Sequence, residues 1–178
     1  MKFGLIDRIL ELERGRRIVA VKAVSLSEEY LADHFPTFPV LPGVLMLEAM
    51  VQAAAWLVRD AQGFSHSLIL LRSARNVTYK SFVRPGQVLR LEVVCRRLAA
   101  AESEFDGIGY CDTAEMVKAR FGLTHSVVGG PDGDASPADQ RIVADARARF
   151  ALLHRPPAGP GHASGEPAVV SRPGAASE

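Results

Sequence analysis

His34-Phe35-Pro36-Thr37-Phe38-Pro39-Val40-Leu41-Pro42-Gly43-Val44-Leu45-Met46-Leu47-Glu48-Ala49-Met50-Val51-Gln52 changes character half-way along its length. Up to Pro42 it is a loop stiffened by prolines and carrying one histidine. From Gly43 it becomes an apolar run that continues to Val58, broken by Glu48 and Gln52. The run, closed by Gly63, predicts a helix over 43–62. A membrane span needs roughly 20 apolar residues. Val44–Val58 is shorter and holds a carboxyl group, so it reads as a buried helix of a soluble, cytoplasmic protein.

The flanks have the texture of strands. Leu5–Glu13 and the β-branched Arg17–Val24 are joined by Arg14-Gly15, a hairpin signal. Leu26–Ala32 offers at most one helical turn. After the long helix come Ser67–Leu71 and Ala74–Tyr79, then Pro85-Gly86 as a turn. Gln87–Leu98, Ser103–Cys111 and Ala114–Val128 complete the set. Strands of this number with one helix apolar on every side predict an α+β fold, an antiparallel sheet wrapped around one long central helix.

Composition changes after Val128. The expected domains are a body over 1–128, a linker over 129–136, an accessory amphipathic helix over 137–154 and a disordered tail over 155–178. Ser136-Pro137 opens the helix as N-cap and first residue. Ile142, Ala146, Phe150 and Leu153 form its apolar face, opposite Arg141, Arg147 and Arg149.

The chain has 178 residues, 48% of them hydrophobic, and a formal net charge of +1. That balance gives no case for nucleic acid or a strongly acidic partner. Cys95 and Cys111 have no metal-ligand spacing and read as inert strand residues in a reducing compartment. The first residues lack the apolar stretch and cleavage site of a secretory signal.

His34 alone is ambiguous, because loop histidines are most often structural. Glu48 has apolar neighbours on both sides, and an unpaired buried carboxylate is costly, so it must be paired, protonated or functional. Gln52, one turn on, can bond it on the same face. That bond is either purely structural or the means of orienting an acid. Burial favours the protonated carboxyl and the neutral imidazole, a pairing that suits β-elimination of water. Gly43, at the helix N-terminus, offers free N–H groups to a substrate carbonyl. Taken alone, Pro42-Gly43 is an ordinary helix start.

His34-Phe35-Pro36-x-x-Pro39-x-x-Pro42-Gly43-Val44 with Leu47-Glu48-Ala49-Met50-x-Gln52-Ala53 resembles the (3R)-hydroxyacyl-acyl-carrier-protein dehydratases of the FabZ/FabA type. The spacing from histidine to acid, 48 − 34 = 14, agrees. Glutamate points to the FabZ branch, since the FabA branch has aspartate. Leu5-Ile6-Asp7-Arg8 and Tyr79-Lys80-x-x-Val83-x-Pro85-Gly86 extend the likeness over about 3–127.

The resemblance implies a hot-dog fold and a homodimer, or a hexamer built as a trimer of dimers. It implies dehydration of a (3R)-hydroxyacyl-acyl carrier protein to the trans-2-enoyl form in fatty acid or related acyl-chain synthesis, with no metal and no organic cofactor. His34 of one chain would be the base and Glu48 of the other the acid. Gly43 would hold the thioester carbonyl and Gln52 would position Glu48. Thr37, where the family often has glycine, still offers a backbone N–H. The acyl chain would lie in an apolar tunnel between subunits. Acyl carrier protein is the expected partner, with Arg72, Arg75, Lys80 and Arg84 as candidate contacts.

The chain departs from the family at Thr37, in the expected lack of the family's first helix and Leu-Pro-His-Arg-Tyr-Pro segment, and in the additional residues after Val128. A hot-dog acyl-thioester hydrolase and a non-catalytic paralogue that binds acyl carrier protein stand as alternatives.

Overall fold

The computed structural model describes residues 3–129 and 136–155. Its centre is α2, Gly43–Ala61. Alanine, leucine and methionine dominate that stretch and are among the strongest helix formers. The helix ends in a Schellman motif: Phe64 N–H bonds Arg59 O at 2.8 Å and Gly63 N–H bonds Asp60 O at 3.3 Å. Gly63 supplies the left-handed residue this requires, with φ at +64°.

Six strands curve around the helix. β1 (Arg8–Glu13) and β2 (Arg17–Ala23) form the expected hairpin. β3 (Leu68–Tyr79), β4 (Val88–Leu98), β5 (Glu102–Cys111) and β6 (Ala114–Ser126) follow α2. The spatial order is β1-β2-β4-β5-β6-β3, with every pairing antiparallel. Leu89, Leu91 and Val93 alternate inward on β4 with Ile18 and Ala20 of β2, and meet Met50, Ala53 and Leu57 of α2 in one core. α2 contacts β2, β3, β4, β5 and β6. This is the α+β hot-dog architecture.

Three expectations need correction. Residues 67–79 are not two segments but one strand, β3, in which register shifts at Leu71/Ser73 and Arg75/Thr78 absorb the break in pattern. α2 is not enclosed on every side: Val44 is 67% exposed and Leu45, Leu47 and Glu48 are half-buried, while Met46 and most of the helix from Ala49 to Val58 are buried. On α3 (Pro137–Leu153) the residue packed on the core is Val143 rather than Ile142, together with Ala146, Phe150 and Leu153.

α3 is fixed at both ends. Ser136 caps it, accepting from Asp139 N–H while the Asp139 side chain bonds back to Ser136 N–H. The buried Asp139 carboxylate also accepts from Ser67 Oγ and from Val128 N–H at 2.8 Å. At the other end, Phe150 packs against Phe64 and Trp56, with ring centres 5.6 and 6.0 Å away. Arg147 donates to Gly63 O at 2.6 Å and lies 4.5 Å above the Phe64 ring. Arg147 therefore faces the body, not solvent alone. The tail over 156–178 and most of the linker, 130–135, lie outside the described residues. Among the described residues no helix is long and apolar enough to cross a membrane.

Candidate active site

His34 sits in a segment held by four hydrogen bonds. It follows the single turn α1 (Tyr30–Asp33), and its N–H caps that turn on Tyr30 O at 3.2 Å. The loop then reverses through Phe35, with φ at +60°, and closes with Phe38 N–H on Phe35 O at 2.8 Å. Leu41 N–H bonds Val83 O at 2.8 Å and anchors the far end of the loop to the body. The imidazole Nδ1 lies 3.1 Å from Val40 O. A carbonyl only accepts, so this bond places a proton on Nδ1, and in the neutral imidazole Nε2 then presents its lone pair. That is the form a base requires.

His34, Phe35, Leu41, Gly43, Met46, Tyr79, Lys80, Ser81 and Phe82 line a cavity of about 310 Å³. Gly43 begins α2 behind Pro42, whose ψ of 135° turns the chain into the helix. Pro42 O accepts from Leu45 N–H and Met46 N–H, which leaves the Gly43 and Val44 N–H groups without an intrahelical partner. The absent side chain matters here. A Cβ on Gly43 would stand 3.2 Å from two Tyr79 ring carbons, so the ring lies directly against the helix start.

Glu48 lines a different cavity, of about 240 Å³, with Phe3, Gly4, Val51, Gln52, Ala55, Trp56, Arg59, Ile69 and Arg149. Gln52 Nε2 donates to Glu48 Oε1 at 2.9 Å. Gln52 is itself held, its Oε1 accepting from Leu5 N–H at 2.8 Å and its Nε2 donating to Phe3 O at 3.2 Å. The amide donates to Oε1 and leaves Oε2 without a hydrogen bond among the described residues.

Of the candidate residues, His34 and Gly43 thus share one cavity, and Glu48 and Gln52 share another. Thr37 is exposed and lines neither. Of the four basic residues, Arg72 faces Glu102, Lys80 pairs with Glu115 at 3.0 Å and Arg84 lies 5.0 Å above the Phe38 ring. Arg75 has no ion pair among the described residues.

Other lining residues went unnamed in the sequence reading. Trp56 and Arg59 follow Glu48 and Gln52 at helical spacing and were within reach of a periodicity argument. Tyr79 and Arg149 arrive from elements distant in sequence. Around the His34 cavity, Phe35 and Phe82 are 53% and 55% exposed.

A family model described as the FabA-like domain matches residues 1–120. A Symbiobacterium thermophilum protein named 3-hydroxyacyl-[acyl-carrier-protein] dehydratase FabZ is 48% identical over 151 residues, covering 85% of this chain and 87% of its own. The chain belongs to the FabA-like family, in its FabZ branch. FabZ proteins of Variovorax paradoxus and Geobacillus thermodenitrificans are 44% and 40% identical over 108 and 106 residues. These alignments cover 59% and 60% of this chain, and 72% and 73% of those proteins. Among solved structures, the dehydratase heterocomplex ApeI:P of Xenorhabdus doucetiae superposes with a TM-score of 0.61 at 19% identity, covering 71% of this chain and 85% of that one. The PaaI protein of E. coli gives 0.51 at 11%, covering 66% and 81%. At these identities the likeness is one of fold.

Proposed function

We propose that this FabZ-branch hydro-lyase dehydrates (3R)-hydroxyacyl-acyl carrier protein to the trans-2-enoyl form, in sites that two subunits build together. One observation carries the two-subunit reading. His34 and Glu48 line separate half-open cavities of the same chain, and neither cavity holds both an acid and a base poised for elimination.

The sheet supplies a route to completion. β3 is an edge strand, and its Leu70 and Leu71 are exposed. Open edge strands invite pairing with another chain. A two-fold pairing of β3 with β3 runs antiparallel. It sets the Tyr79 end of one strand beside the Ile69 end of the other. Tyr79 borders the His34 cavity and Ile69 the Glu48 cavity, so each base meets the partner's acid.

The chemistry then balances. His34 Nε2 removes the proton from the carbon next to the thioester carbonyl. The freed electron pair forms the carbon–carbon double bond as the C3–oxygen bond breaks. Glu48, in its acid form, gives its Oε2 proton to the departing hydroxyl, which leaves as water. Gly43 N–H donates to the carbonyl oxygen as negative charge builds there, aided by the helix N-terminus. Proton return from the imidazolium to Glu48 resets the site.

The test is formation of enoyl thioester from the 3-hydroxyacyl carrier protein, and the reverse hydration. His34→Ala and Glu48→Gln should each cost at least about a hundredfold. Full activity in either variant would remove that residue from the mechanism. Free thiol without enoyl product would indicate a hydrolase instead.

A further inference from the structure

Beyond Glu48 the second cavity changes chemistry. Its walls are apolar at Val51, Ala55, Trp56 and Ile69, but two guanidinium groups, Arg59 and Arg149, also border it. Neither has a carboxylate within 4.0 Å among the described residues. Several other arginines are paired, Arg17 with Glu11 and Glu92, Arg96 and Arg120 with Asp106. Glu48 is not their partner, being bonded by Gln52. Arg59 lies 5.2 Å over the Trp56 ring, and its Nε is buried without a hydrogen-bond partner. Leaving a buried cationic donor unmatched is costly. Arg149 is half-buried, unlike the exposed Arg141 and Arg147 of the same helix.

The order of atoms in a 3-hydroxyacyl thioester decides what reaches these arginines. The carbonyl lies towards Gly43 and the pantetheine arm leaves on that side. The third carbon, with its hydroxyl, lies at Glu48, so the rest of the acyl chain continues past Glu48. Arg59 is eleven residues further along α2 (59 − 48 = 11), about 16 Å along the axis. Resting on the dehydratase reading of His34 and Glu48, we infer that this cavity receives the far end of the acyl chain when that end carries a carboxylate, with Arg59 and Arg149 as its cationic contacts. The apolar walls take the methylenes, and the two guanidinium groups take the charge.

The test uses the full chain and two series of 3-hydroxyacyl carrier protein substrates, matched in length and ending in a methyl group or a carboxylate. At the best-fitting length, kcat/KM for the carboxylate should exceed that for the methyl partner about tenfold, the size of one charge-assisted hydrogen bond. Arg59→Gln and Arg149→Gln should each collapse that ratio about tenfold, and Arg149→Lys should keep most of it. The ratio is internal, so a general loss of folded enzyme leaves it unmoved. Should Arg59→Gln not fold, Arg149→Gln on the outer helix decides. A wild-type ratio at or below one, or a ratio unmoved in the folded variants, would overturn the inference while leaving dehydration of the methyl series intact. Absence of enoyl product from both series would instead overturn the dehydratase reading and the inference with it.

Discussion

Subunit hybrids give the sharpest test of a shared site. His34→Ala and Glu48→Gln chains, carrying different tags, are co-expressed and the mixed dimer is purified. Each pure variant dimer should retain no more than about one part in a hundred of wild-type turnover. In a two-fold dimer with sites across the boundary, the hybrid has one site with both substitutions and one with neither. It should therefore recover about half of wild-type turnover per dimer. The complementary hybrid, wild type paired with the His34→Ala/Glu48→Gln double variant, has one lesion in each site and should be nearly inactive. Sites contained within one chain reverse both outcomes, leaving the first hybrid dead and the second about half active. The assay is enoyl absorbance under saturating substrate. That reversed pattern would refute the reasoning from the two separate cavities.

Other outcomes follow from single contacts. Gly43→Ala places a methyl 3.2 Å from the Tyr79 ring; the half-exposed ring can yield, so kcat/KM should fall about tenfold, some 1.4 kcal/mol, with little change in melting temperature. Gln52→Ala removes the bond to Glu48 and strands Leu5 N–H, which should lower denaturant stability by about 1–3 kcal/mol along with kcat. Asp139 is held well below the usual carboxylate range by hydrogen bonds from Ser136, Ser67 and Val128 N–H. Its folded value is depressed, so its contribution is complete above the unfolded value of about 3.9 and is lost as pH falls below it. Acid titration should therefore release α3 before the core melts, read as a change in Trp56 fluorescence when Phe150 departs; Asp139→Asn should abolish that acid step.

The parts of this molecule legible in sequence are those set by local rules. The Arg14-Gly15 hairpin, the α2 boundaries and the Ser136 cap depend on residues a few positions apart, and all three stand where the pattern put them. The His34–Gln52 motif was legible because proline spacing and an acid in an apolar helix are both improbable without a cause. β3 was harder to read, since Asn76 takes φ at +52° and two register shifts hide its continuity. Val143 displaced Ile142 because α3 meets the body at an angle fixed by Phe150 and Asp139, which no helical wheel contains. Arg147 and Arg149 looked like a solvated face. Their inward turn depends on Phe64, Gly63 and the α2 cavity, more than eighty residues earlier in the chain.

On the role inferred for Arg149, selectivity rests on a clamp far from the chemistry. Nothing in α3 reaches His34 or Gly43, and its contribution to the Glu48 cavity is a single guanidinium. That guanidinium is presented by a helix whose first turn is fixed by Asp139 and whose last turns are fixed by Phe150 and Arg147. Loosening either end should move Arg149 while leaving the Gln52–Glu48 bond, the Val40–His34 bond and the Schellman stop of α2 in place. On the roles proposed above, catalysis and chain-end recognition rest on different contacts of this fold. The residues proposed for the first, His34, Gly43, Glu48 and Gln52, all lie in the FabA-like domain, residues 1–120. The second adds to Arg59 of that domain the Arg149 of a helix beyond it, held to the domain by buried hydrogen bonds at one end and aromatic packing at the other.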